Sequence, residues 1–205
     1  MLVLHYTGME SPEAALDRMC DAEAKVSAHY VILEDGDVAP LVDEGKRAWH
    51  AGVAFWRGET DINARSIGIE LVNPGHEFGY RNFPEAQMQA VADLALDILS
   101  RHPIPARNVV GHSDVAPQRK TDPGELFDWA GLAEAGIGLW PTDAEPAQAD
   151  DDQVQKWLAA FGYDTSDLAA ATTAFQRHFS PQTLDGRADA DTIGRLKSLV
   201  GLCGS

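Results

Sequence analysis

The sequence predicts an α/β fold, a central mixed β-sheet flanked by helices, followed by a small C-terminal three-helix domain. Three observations carry that prediction. Short β-branched and aromatic runs alternate with helical apolar periods, which puts a sheet at the centre and helices on its faces. One stretch, Pro141-Thr142-Asp143-Ala144-Glu145-Pro146-Ala147-Gln148-Ala149-Asp150-Asp151-Asp152, has no apolar period and reads as a linker. Beyond it so few residues remain that only a compact helical bundle can bury a core. The expected layout is a catalytic-sized domain over residues 1–140, a linker over 141–152 and the helical domain over 153–205.

The elements follow in order. Leu2-Val3-Leu4 is a short strand that delivers His5-Tyr6-Thr7-Gly8 at its C-terminal end. Ser11-Pro12 starts a helix, because serine caps free amides and proline has none to lose at the first helical position. That helix is expected to bury Leu16, Met19 and Cys20. His29 to Leu33 reads as a strand that Asp35-Gly36 turns into a hairpin before Val38. Ser66 to Val72 and Asn108 to His112 are two further strands. Between them Met88, Val91, Ala92, Ala95, Ile98 and Leu99 share one face of a long helix that His102-Pro103 ends. In the tail, Val154, Trp157, Leu158 and Phe161 form one apolar stripe. Leu168, Ala171, Phe175 and Phe179 form a second, and Ile193, Leu196 and Val200 a third.

Composition narrows the function classes. With 44% hydrophobic and 23% charged residues, the chain has the make-up of a globular protein rather than a disordered or low-complexity one. A formal charge of −16, without a basic patch, disfavours nucleic acid and anionic lipid as partners. Two cysteines, Cys20 and Cys203, are too few for a disulfide scaffold and are read as free thiols. No run approaches the roughly 18 apolar residues of a membrane span, so membrane insertion is not expected. Met1-Leu2-Val3-Leu4 is too short for a signal-peptide core, which points to the cytoplasm, with the periplasm or envelope as the alternative if a leader has been removed.

The chemistry collects at strand ends, where a rigid sheet projects side chains into an open crevice. His5, Glu70 and His112 stand there, and the loop after His112 is long enough to bring Lys120 and Asp122 back over the same crevice. Two histidines and a carboxylate make a first coordination layer for a catalytic zinc with one position left for water. Glu70 ends an apolar Ile-Gly-Ile run, where a carboxylate needs a partner. Beside activated water it would act as general base and then return the proton to a departing amine. Lys120 would stabilise the oxyanion of a tetrahedral intermediate. His50, in Trp49-His50-Ala51-Gly52, offers a further ring nitrogen for orienting a ligand or touching substrate. These parts describe metal-assisted amide hydrolysis.

The strings Leu2-Val3-Leu4-His5-Tyr6-Thr7, Val26-Ser27-Ala28-His29-Tyr30, Trp49-His50-Ala51-Gly52, Ser66-Ile67-Gly68-Ile69-Glu70 and Gly111-His112-Ser113-Asp114 through Lys120-Thr121-Asp122-Pro123-Gly124 resemble, in order, the zinc-dependent N-acetylmuramoyl-L-alanine amidases of the amidase_2 type. The resemblance implies one Zn2+ on His5, His112 and Asp122, a catalytic Glu70 and a catalytic Lys120. His50 is carried over only as a residue near substrate or behind the ligands. The implied substrates are peptidoglycan fragments or anhydro-muropeptides, cut between N-acetylmuramic acid and L-alanine. A related phage-lysozyme branch has a catalytic tyrosine where this chain has Ala28, which places more of the general-base duty on Glu70. The tail resembles a peptidoglycan-binding module through Val154, Leu158, Gly162-Tyr163, Phe175-Gln176, Asp185-Gly186 and Thr192-Ile193. Two alternatives stand beside this reading: a non-catalytic peptidoglycan-recognition protein on the same fold, and a structural metal site, which would ordinarily close with four protein ligands.

Overall fold

A computed structural model describes residues 1–203. The chain runs β1 (Leu2–Tyr6), α1 (Pro12–Cys20), β2 (Tyr30–Ile32), β3 (Val38–Pro40), β4 (Ile67–Leu71), α2 (Gly75–Phe78), α3 (Glu85–Arg101), β5 (Val109–Gly111), α4 (His112–Val115), α5 (Trp129–Glu134), α6 (Asp151–Phe161), α7 (Leu168–Phe179) and α8 (Ala190–Cys203). The strands form one mixed sheet in the order β3-β2-β4-β1-β5. β1, β2, β4 and β5 are parallel, and only the hairpin strand β3 is antiparallel. β4 is buried along its whole length, as a parallel strand covered on both faces must be.

Alternation along the central strands sorts the core into two layers. Leu2, Leu4, Ile69 and Leu71 pack on Val91, Ala95 and Ile98 of α3. Gln87 of α3 is fully buried because its amide donates to the carbonyls of Ile32 and Val72, at 2.9 and 3.0 Å. Val3 and Val110 point the other way, into a cluster shared with Ala51, Trp56 and Ile62 and with Leu158, Phe161 and Phe175 of the C-terminal helices. His5 and Glu70 follow this second alternation. The face that carries the polar side chains is therefore the face backed by the tail.

Two local expectations are corrected. α1 buries Ala15, while Leu16 and Met19 are half-buried and Cys20 is exposed, because this helix lies at the rim and not against the sheet. His112 does not end a strand: β5 stops at Gly111 and His112 opens α4, since the Asp114 carboxylate accepts the Gly111 amide at 2.7 Å and bends the chain into a helical turn. In the tail, Val154, Leu158, Phe161, Ala171, Phe175, Phe179, Ile193 and Leu196 are buried, as their spacing predicts. Within the stretch 141–152, Glu145 to Ala147 lie against α8, and Asp151 and Asp152 already belong to α6. The Ala147 amide donates to the Ala190 carbonyl at 2.9 Å, and a Cβ on Gly194 would fall 2.2 Å from the Glu145 carbonyl oxygen. Among the described residues no helix is long and apolar enough to cross a membrane.

Candidate functional site

The parallel register sets His5 beside Glu70, and the loop after α4 closes over them. Ser113 donates its amide to the Asp122 carbonyl at 2.9 Å, so the backbone next to His112 holds the segment carrying Asp122. The result is a triangle: His5 Nδ1, His112 Nδ1 and Asp122 Oδ2 lie 3.0 Å from one another. All three residues are buried, and they are the group of His, Cys, Asp and Glu side chains among the described residues placed to hold a metal ion.

Hydrogen bonds behind the triangle determine what faces its centre. His112 Nε2 lies 3.0 Å from the Ala51 carbonyl, an obligate acceptor, so Nε2 is the donor there and Nδ1 faces the triangle. A longer chain settles His5. The Ser66 hydroxyl donates to the Ile62 carbonyl at 2.6 Å, so its oxygen accepts from His50 Nε2 at 3.2 Å. His50 Nδ1 must then accept from His5 Nε2 at 3.0 Å, which leaves His5 Nδ1 facing the triangle as well. Burial, reinforced by His112, pushes His5 down to about 4, and burial with the neighbouring histidines holds His50 well below its ordinary range. Both rings are therefore neutral at pH 7. Two ring nitrogens and a carboxylate oxygen converge on one point. Such a donor set suits a divalent ion that takes nitrogen and oxygen ligands.

His50 reaches its place because its own loop is clamped. Asn63 Oδ1 accepts the amides of His50 and Ala51, at 3.1 and 2.8 Å, and the ring lies against Gly68 of β4. A Cβ there would come 2.5 Å from His50 Cγ. Gly68→Ala is thus expected to displace the ring, break the His5-His50-Ser66 chain and weaken metal binding about 10–100-fold, the usual cost of losing an outer hydrogen bond. Chelator competition measures this, and an unchanged affinity would remove His50 from the supporting role.

Two members of the triangle, His112 and Asp122, line a 480 Å³ cleft that Tyr6, His50, Glu70 and Lys120 also line. Glu70 is 9% exposed, and its Oε2 has no hydrogen-bond partner. Burial and, secondly, the Asp122 charge raise its pKa well above the ordinary carboxyl value, with Lys120 offsetting part of the rise. Arg18, Lys25 and Arg119 join Lys120 around the opening, so a chain of strongly negative total charge keeps basic side chains at this cleft. The Tyr6 hydroxyl lies 2.9 Å from both Thr121 Oγ1 and His76 Nδ1. Ala28 is fully buried and brings no hydroxyl.

All six residues singled out in the sequence line or support this one cleft. The sequence reading missed Asn63, Ser66 and Asp114 as functional supports. Ser66 and Asp114 lie in the quoted strings, but nothing local distinguishes a serine that fixes a tautomer from one that caps a turn. Asn63 carries no sequence signal at all.

The family model described as N-acetylmuramoyl-L-alanine amidase, Amidase_2, matches residues 1–125. The chain is 39% identical to the N-acetylmuramoyl-L-alanine amidase AmiD of Escherichia coli, a match covering 98% of this chain and 82% of that protein. It is 41% identical to the 1,6-anhydro-N-acetylmuramyl-L-alanine amidase AmpD of Citrobacter freundii, over 61% of this chain and 65% of that protein. Among solved structures, the AmiD complex with anhydro-N-acetylmuramic acid-L-Ala-D-gamma-Glu-L-Lys superposes with a TM-score of 0.90 at 37% identity, covering 100% of this chain and 89% of that one. AmpDh3 from Pseudomonas aeruginosa, in complex with anhydromuramic pentapeptide, gives a TM-score of 0.84 at 34% identity, covering 100% and 92%.

Proposed function

Because this chain belongs to the Amidase_2 family of N-acetylmuramoyl-L-alanine amidases, we infer that it hydrolyses the amide joining N-acetylmuramic or anhydro-N-acetylmuramic acid to the L-alanine of the stem peptide, with zinc on His5, His112 and Asp122. The observation that carries the metal and its position is the convergence of two imidazole Nδ1 atoms and one carboxylate oxygen at 3.0 Å. When bound there, zinc supplies Lewis acidity toward the scissile carbonyl and lowers the pKa of water at an open coordination position toward about 7.

The chain's own residues do the rest. Glu70, buried on the floor of the cleft with one free carboxylate oxygen, takes a proton from the attacking water as the new carbon–oxygen bond forms. It then returns that proton to the amide nitrogen as the carbon–nitrogen bond breaks, leaving a lactyl carboxylate and the amino terminus of the peptide. A carboxyl whose pKa burial has raised is suited to both halves of this shuttle. Lys120 places a positive charge where the carbonyl oxygen becomes anionic. His50 holds the His5 ring through the 3.0 Å contact of its Nδ1 with His5 Nε2. The basic opening suits a fragment bearing peptide carboxylates.

The AmiD and AmpDh3 complexes contain anhydro-muramyl peptides, and we extend that substrate class to this chain. The same substrate fits the recycling, cytoplasmic branch, which fractionation of the native gene product tests. The C-terminal helices are the proposed wall-binding unit. The function itself is tested by incubating zinc-loaded protein with an anhydro-muramyl tripeptide. Stoichiometric zinc and release of free tripeptide are expected. Tight binding of the substrate without a new amino terminus would favour the recognition-protein alternative instead.

A further inference from the structure

Asp114 is 1% exposed, and no step above uses it. Its carboxylate accepts three hydrogen bonds: from the Gly111 amide at 2.7 Å, from the Tyr163 hydroxyl at 2.6 Å and from His178 Nδ1 at 2.7 Å. Only the first comes from its own neighbourhood. Tyr163, which follows α6, is 1% exposed, and His178 on α7 is 3% exposed. The His178 ring is stacked between Trp129 at 3.7 Å and Phe179 at 3.8 Å, so its Nδ1 has one direction available.

Asp114 is the third residue of α4, and His112 is the first. The residue between them, Ser113, bonds the Asp122 backbone. A single helical turn therefore carries one ligand, holds the segment of another and is anchored through a buried carboxylate to the C-terminal helices. Burying a carboxylate is costly unless its oxygens are satisfied. Without Tyr163 and His178 this one would keep a single donor, and α4 would shift or open to let water in.

Resting on the metal reading above, we propose that Tyr163 and His178 are positioning residues of the metal centre: through Asp114 they hold α4 so that His112 and Asp122 meet His5. The C-terminal helices are then part of the hydrolytic unit itself, whatever else they bind.

The test uses the full chain, with zinc affinity measured by chelator competition, the visible spectrum of the Co2+-substituted protein, and the melting temperature of the metal-free form. Tyr163→Phe removes one hydroxyl, and His178→Phe keeps the stacked ring without its donor. Each is expected to weaken zinc binding about 10–100-fold and to change the cobalt spectrum. His178→Asn, whose amide can donate to Asp114 in place of Nδ1, should recover affinity relative to His178→Phe. Gln176→Ala is the control. That side chain bonds Asp185, Gly186 and Arg187 within the tail, so its loss should lower the melting temperature and leave zinc affinity unchanged. Unaltered zinc affinity and cobalt spectrum in both Tyr163→Phe and His178→Phe would overturn the proposal with the metal reading intact. Failure of the unmutated protein to take up stoichiometric metal would overturn the metal reading, and this inference with it.

Discussion

Glu70→Gln will lower turnover about 10²–10⁴-fold while leaving the metal bound, the loss expected when a proton-transfer group is removed from a hydrolytic site. Glutamine keeps the shape and burial of the side chain but cannot take up and return a proton. Metal binding survives because Glu70 is outside the triangle formed by His5, His112 and Asp122. Kinetics on an anhydro-muramyl peptide and metal analysis of the same preparation check both halves, and undiminished turnover would refute the assigned role.

The same substitution has a second consequence in the metal-free protein. Burial raises the Glu70 pKa well above 4.5 in the folded chain, so between the unfolded and folded values the native state binds more protons than the unfolded one. Stability contributed by the protonated form is complete below the unfolded value and is lost as pH rises through the folded one. Metal-free Glu70→Gln lacks that decline, so its stability relative to metal-free wild type should increase as pH rises above about 5. Chemical denaturation across pH measures the difference. Parallel profiles would mean that the carboxyl is not held protonated.

Returning zinc to the chelator-stripped protein will raise its unfolding temperature steeply. Two imidazole nitrogens and a carboxylate oxygen lie 3.0 Å from one another in the folded state, and that geometry is lost on unfolding, so zinc binds mainly the folded form. At a thousandfold excess over the dissociation constant the linkage contributes about 4 kcal/mol. For a chain of this size that corresponds to a rise of about 8–16 °C. Asp122→Asn keeps the shape but loses the negative ligand, and should lose most of the zinc-dependent rise along with activity. A melting temperature indifferent to zinc in the unmutated protein would count decisively against the metal site.

Much of this site could be read before any coordinates. Leu2-Val3-Leu4 and Ile67-Gly68-Ile69 are apolar runs that only a buried strand explains, and His5 and Glu70 at their ends stand out because polar groups there need a purpose. His5, His112 and Asp122, which converge, and Glu70 and Lys120, which line the same cleft, stand out in the sequence through ordered motifs rather than spacing, since His5 and His112 lie 107 residues apart. By sequence alone His112 reads as a strand end, because Val109 and Val110 continue the β pattern. The helical turn it opens depends on the side chain of Asp114, which a propensity reading does not weigh.

Residue types and their local order were enough to determine the α/β architecture, the metal-competent histidines and the helical tail. Each of these follows from a residue's own backbone preference or from its near neighbours. Tertiary structure alone decided which acceptor each histidine faces and what holds the metal-competent side chains in place. The His5 tautomer is set by a carbonyl at Ile62, that of His112 by a carbonyl at Ala51, and the Asp114 charge is satisfied from Tyr163 and His178. The physical reason is that a hydrogen bond takes its direction from both partners, and here the partners are brought together by folding rather than by sequence.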